Sequence, residues 1–116
     1  MTADEPPPNR TVRGHVWYRE RMALPPDAQV KIEVLDASGP QGPLILAQAS
    51  FGTEGRQVPI PFQVEVGAPE GQPRLLRASI IIDGRLAWLS ELVPLPKDDS
   101  ADAGDVLLRR VVGSRP

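Results

Sequence analysis

Fourteen prolines spread over 116 residues restrict this chain more than any other feature. A proline inside a helix deletes a backbone donor and clashes with the preceding turn. Ten glycines add further breaks. The intervals left between breaks suit short strands joined by turns rather than long helices. Hydrophobic periodicity points the same way. In residues 11–18, Val12, Gly14, Val16 and Tyr18 face one side, while Arg13, His15 and Trp17 face the other with Arg19 after them. Residues 29–35 repeat the pattern, with Val30, Ile32 and Val34 against Lys31 and Glu33. Residues 44–51 form a third strand candidate. The clearest alternation lies in residues 58–66, where Val58, Ile60, Phe62, Val64 and Val66 share a face. Pro59 and Pro61 on the opposite face cannot donate to a ladder, so this strand belongs at a sheet edge, at least at its start.

Residues 74–82 and 85–92 form a hairpin about Asp83-Gly84, a pair suited to the two positive φ angles of a type I′ turn. An unbroken ladder sets Ile82 opposite Arg85, Ile80 opposite Ala87 and Ala78 opposite Leu89, with Leu76 on the same apolar face. Ser79 then opposes Trp88, and Arg77 lies beside Trp88 on the other face. A bulge would exchange the two faces. Residues 94–104 read as an acidic loop and 106–112 as a last strand. About seven short strands separated by turns predict an all-β fold, an antiparallel immunoglobulin-like β-sandwich. The division expected is a disordered Pro-rich arm at 1–10, one sandwich domain at 11–112 and a tail at 113–116.

Composition excludes several functions. The formal charge of −2, with scattered Lys and Arg, does not supply the basic stripe of a nucleic-acid-binding protein. The absence of Cys removes disulfides, thiol nucleophiles and thiolate metal sites together. No apolar run is long enough to cross a bilayer as a helix. His15 is the one histidine and cannot anchor a conventional zinc site. Asp98, Asp99, Asp102 and Asp105 invite a calcium loop, but their spacing fails. A loop starting at Asp99 puts Ala101 and Ala103 where oxygen ligands are needed, and one starting at Asp98 puts Ala103 where glycine is needed. No phosphate-cradling glycine loop and no catalytic triad order are present. Neither an enzyme nor a cofactor is expected.

Residues 14–36 read as strand, charged turn, Pro-Pro corner and strand. The block Gly14, Val16, Tyr18, Arg19, Glu20, Arg21, Ala23, Leu24, Pro25, Pro26, Asp27 and Ala28 resembles the opening of the YbaY/YscW-like lipoprotein family, which includes pilot lipoproteins of type III secretion. Further matches are Gln57, Pro59, Ile60 and Phe62, then Leu76, Arg77 and Ala78, then Asp83, Gly84, Arg85 and Leu86. The resemblance runs in order through residues 12–112. It implies a β-sandwich on the periplasmic side of an outer membrane, held by a lipid anchor, and a protein partner such as a secretin subunit. It implies no catalytic residues. A lipobox cysteine and an export signal are not seen in this sequence, which is by itself equally compatible with cytoplasm.

Three groups of residues are candidates for function or for holding the fold. Arg19, Glu20, Arg21 and Asp27 form the densest charge group. It reads first as a structural network of charge-assisted hydrogen bonds pinning the crossover, and second as a partner-binding patch. Arg13, His15 and Trp17, with Arg19 and Arg21, form the candidate partner-binding set, with Trp17 as anchor. Trp88 beside Arg77 reads as a structural cation–π pair. The leading expectation is a non-enzymatic interaction module that takes an extended segment of another protein at the open edge of residues 11–18 or over an apolar face. The alternative is a small-ligand or carbohydrate-binding module using Trp17 or Trp88 as a stacking platform.

Overall fold

A computed structural model of the chain describes residues 10–36, 44–66, 74–95 and 101–111. Eight strands occupy most of them: β1 (Arg10–Trp17), β2 (Gln29–Asp36), β3 (Leu44–Gly52), β4 (Ile60–Val66), β5 (Arg74–Ile82), β6 (Arg85–Ser90), β7 (Val93–Pro94) and β8 (Ala101–Arg110). There is no helix among the described residues. The strand order is β3-β2-β5-β6-β8-β1-β4, with β7 paired to β5. The sheet curls on itself so that its two end strands, β3 and β4, approach one another in a nearly closed, barrel-like shape.

The fold is all-β, as the alternation predicted, but not uniformly antiparallel. β8 runs parallel to β1 through its first half and antiparallel to β6 through its last residues. It thereby carries the sheet from one layer to the other. Residues 101–104, expected to be loop, are the start of this strand. Small and acidic residues there give no hydrophobic period. A register shift lets Ala103 pass between Arg13↔Asp102 and Gly14↔Gly104, with Gly104 at φ 69°. Such an extra residue bends a strand, and glycine takes the positive φ without steric cost. The expected arm at 1–10 lies outside the described residues except for Arg10, which opens β1, and the tail at 113–116 lies outside them altogether.

The core lies between the layers. Val30, Ile32 and Val34 of β2 and Leu76, Ala78 and Ile80 of β5 face Val12 and Val16 of β1, Ile60, Phe62, Val64 and Val66 of β4, and Val106 and Leu108 of β8. The alternation read in β4 is the observed burial pattern, residue for residue. On the outer face of β2 and β5, the buried carboxylate of Glu33 accepts from Arg77 Nε at 3.0 Å and Nη2 at 2.9 Å. These two residues are direct cross-strand partners, which fixes the pair geometrically.

The β5–β6 hairpin corrects the expected register. Asp83 and Gly84 take φ 55° and 73°, and Ile82 does oppose Arg85. Beyond Ile81↔Leu86 the ladder slips by one, so Ile80 opposes Trp88 and Ser79 opposes Leu89. Ala87 is the additional residue. A one-residue slip moves every later side chain to the other face. Trp88 therefore enters the core, where its ring stacks on Tyr18 with centroids 3.9 Å apart and planes 10° apart. The Arg77–Trp88 pair is not formed, because Arg77 lies on the opposite face and is engaged by Glu33.

Candidate partner-binding face

β1 places Arg13, His15 and Trp17 on its outward face, as alternation requires, with Val12, Gly14 and Val16 buried beneath. It is not an open edge. β4 pairs along one side and β8 along the other, so no extended segment can add to it. The edge assignment to residues 11–18 is overturned by this pairing order. Among the described residues, the end strands of the sheet are β3 and β4. The prolines of residues 58–66 did mark an edge.

The outward face is a three-strand surface. Pro61 and Gln63 of β4 stand opposite His15 and Arg13, and Asp105 and Leu107 of β8 stand opposite His15 and Trp17. His15 Nδ1 lies 3.9 Å from Asp105 Oδ1, with both groups largely in solvent. Trp17 sits half-buried in an open depression of about 440 Å³ lined by His15, Tyr18, Val58, Pro59 and Asp105. A second depression, of about 930 Å³, shares His15 and Asp105 and extends past Arg13, Pro61 and Gln63. The indole Nε1 of Trp17 is buried and has no acceptor among the described residues. A buried donor without a partner loses its hydration with no return, at a cost of about 1–3 kcal/mol.

The connection after β1 is tied down by neutral groups. Tyr18 OH donates to the Met22 carbonyl. The Gln57 side chain pairs with the Leu24 backbone in both directions, accepting from Leu24 N at 2.7 Å and donating to Leu24 O at 3.1 Å. Ala28 N donates to Pro25 O at 3.1 Å, closing a turn with Pro26 at its second position, where proline's fixed φ is preset. Leu24 and Ala28 enter the core. Arg19, Glu20, Arg21 and Asp27 are exposed, and no ion pair or side-chain hydrogen bond joins them among the described residues. The expected charge network is replaced by these amide and hydroxyl contacts, which lose less on desolvation than charges do.

Gln57 and Asp105 are parts of this region that periodicity did not single out, and Val58 and Pro59, read as the start of an alternating strand, precede β4. Gln57 and Asp105 come from a loop and from a polar strand start, where no apolar period signals position. No group of three His, Cys, Asp or Glu side chains that could hold a metal occurs among the described residues. Asp98 and Asp99 lie outside them.

Tyr18 links this face to the core. Burial, aided by the negative charge of Glu20, raises its pKa above the ordinary tyrosine value. The folded state therefore holds the phenol proton more tightly than the unfolded chain does. Its contribution to stability is complete below about pH 10 and falls as pH rises through the folded pKa. The expected result is a loss of stability above pH 10 that shrinks in Tyr18→Phe. Urea midpoints measured from pH 8 to 11 test it; parallel pH profiles for the two proteins would remove Tyr18 from the account.

Comparison with known proteins follows the same residues. The chain matches the family described as type III secretion system lipoprotein chaperone (YscW) over residues 7–96. It is 37% identical over 86 residues to a protein described as uncharacterized lipoprotein YbaY from Escherichia coli strain K12. That match covers 71% of this chain and 45% of the relative, so the chain spans less than half of the relative's length. A solved structure described as an alternative pilotin from the type II secretion system of Vibrio cholerae superimposes with a TM-score of 0.80 at 28% identity, covering 91% of this chain and all of that one. With the motif of residues 14–28 and the fold in agreement, the chain belongs to the YscW family of secretion lipoprotein chaperones.

Proposed function

We propose that this chain is a non-enzymatic interaction module of the bacterial cell envelope that binds a segment of another exported protein, such as an outer-membrane secretin. The observation that carries the reading is Trp17: a half-buried indole on a continuous outward face, with its N–H lacking an acceptor among the described residues. A segment laid over the depression would gain apolar contact from the exposed part of the ring. Large aromatic anchors with one polar atom dominate binding energy at protein interfaces. Arg13 and His15 border the same surface, and Arg19 and Arg21 follow in the exposed connection. Their charges set orientation and association rate more than affinity. The family membership and the pilotin-like fold favour a protein partner; the envelope setting rests on the lipoprotein and pilotin relatives.

The test is crosslinked recovery from the native envelope, followed by affinity measurement on the recovered partner. Recovery of a secretin or another outer-membrane protein is expected. Trp17→Ala is expected to weaken the complex by about 2 kcal/mol, roughly thirty-fold, with Trp17→Phe intermediate. Unchanged affinity in both variants would sink the assignment. Tryptophan fluorescence titrated with envelope glycans separates the carbohydrate alternative, which now rests on Trp17 alone because Trp88 is buried.

A further inference from the structure

Among the described residues, two guanidinium groups line the larger depression of the outward face with no carboxylate paired to either. Arg13 comes from β1 and Arg56 from the turn between β3 and β4, and both are exposed. Elsewhere in the fold such groups are matched from within the chain. Arg77 Nη2 lies 2.9 Å from Glu33 Oε1, and Arg109 Nη2 lies 3.5 Å from Glu91 Oε2. Arg56 is also held in place. Glu54 and Gly55 take φ 55° and 83°, the two positive angles of a type I′ turn, and Arg56 N donates to Thr53 O at 3.0 Å. Arg56 Nε donates to the same carbonyl at 3.2 Å, and Thr53 N is tied to Ala28 O at 3.0 Å. Among the described residues, Asp105 is the one carboxylate that lines either depression, and it faces His15 Nδ1 at 3.9 Å.

On the reading of Trp17 given above, we infer that the segment bound there is acidic: an extended stretch of an exported protein with an apolar side chain over Trp17 and carboxylates over Arg13 and Arg56. The two depressions share His15 and Asp105, so they form one run along β1 from Trp17 to Arg13. Side chains on one face of a strand recur about every 6.5 Å, which sets Trp17 and Arg13 about 13 Å apart. An extended peptide has the same rise, so its matching carboxylate falls about four residues from the apolar anchor, shifted at most by the reach of an arginine. A guanidinium left without an acid in its own fold gains most from one on the partner. Attraction at a distance speeds the encounter, and the pair forms parallel, charge-assisted hydrogen bonds on contact. A neutral segment would gain only the ring, and a basic one would be repelled. Apolar at one end and basic at the other, the run also fixes which way the segment lies.

The test begins with a random peptide library displayed on phage and selected on the full chain. Selected peptides are expected to carry an apolar residue with Asp or Glu about four positions away, and to lose binding to Trp17→Ala. One of them, synthesised with a fluorescent label, is then the probe for anisotropy and stopped-flow measurements. Arg13→Glu combined with Arg56→Glu should weaken it about ten-fold or more, mostly through slower association, and the difference should shrink at high salt. The same peptide with Lys in place of its acids should bind the double variant better than it binds the wild-type chain. Both positions are exposed, and far-UV circular dichroism of each variant checks the fold. Selected peptides that need Trp17 but show no excess of acids overturn the inference and leave the partner-binding face standing. A library that yields no Trp17-dependent peptide overturns both. Phosphatidylglycerol vesicles control for a lipid source of negative charge. If the chain binds them through Arg13 and Arg56 while acidic peptides are indifferent to both, the basic end belongs to a membrane surface and the inference falls.

Discussion

Trp88→Ala is expected to cost about 3–5 kcal/mol, the range for removing a buried tryptophan. The side chain is 3% exposed and lies on Tyr18 at 3.9 Å between near-parallel rings. Burial of the ring supplies most of the effect; an aromatic pair adds about 0.5–1.5 kcal/mol beyond area. The loss is a large share of the about 5–15 kcal/mol that holds an ordinary domain together. The variant should unfold at much lower urea, with an unchanged slope if the denatured state is unaffected. The size of the effect also decides the hairpin register. On an unbroken ladder Trp88 would lie on the outer face beside Arg77, and its removal would cost about 1 kcal/mol or less. A small measured loss would therefore reject the bulge at Ala87 together with the prediction.

That bulge shows where the sequence stops being readable. The turn at Asp83-Gly84 was legible because two positive φ angles demand particular residues. The faces beyond it were not, because one extra alanine leaves no mark on composition and yet inverts the side on which Trp88 falls. The burial of β4 was legible from strict alternation. β8 was only half legible, since its start is polar and its direction is fixed by long-range pairing with β1. Pairing order decides which strands are edges. Prolines exposed β4 as one of them, but nothing local told that β1 would lie inside and β3 outside. The outward set Arg13, His15 and Trp17 was readable from period alone, whereas Val58, Pro59 and Asp105, which complete the depression about Trp17, depend on folding distant segments together.

The block at residues 14–28 separates physically into two kinds of residue. Tyr18, Leu24, Pro25 and Ala28 are committed to the fold through the contacts to Trp88, Met22 and Gln57 and through the closing turn. Arg19, Glu20, Arg21 and Asp27 are exposed and have no such commitment among the described residues. Removing these charges singly is worth little to stability, about 0–1 kcal/mol. Their value, on the reading proposed above, is to the encounter with a partner beside Trp17.

Gly14→Ala is expected to destabilise the fold by about 1–3 kcal/mol, the usual range for overfilling a packed interior. A methyl group built at Gly14 would stand 2.7 Å from the Gly104 carbonyl oxygen and 2.7 Å and 2.9 Å from two ring carbons of Phe62. Real contacts of this kind do not fall below 3.0 Å, so something must move. The Phe62 ring lies directly across the β1–β4 ladder and is buried in the core, so displacing it disturbs core packing. The carbonyl belongs to β8 on the other side of the same residue, at the point where the parallel ladder changes register. Gly14 is thus needed for space rather than for an unusual φ, since two neighbours from opposite sides occupy the position of its missing side chain. Gly52→Ala is the control: a methyl there meets nothing within 4 Å, and its effect should stay within about 0.5 kcal/mol. Urea unfolding of the two variants side by side measures the difference. Equal midpoints would mean that β1 and β8 can separate without penalty, and the close approach at Gly14 would lose its place in the fold.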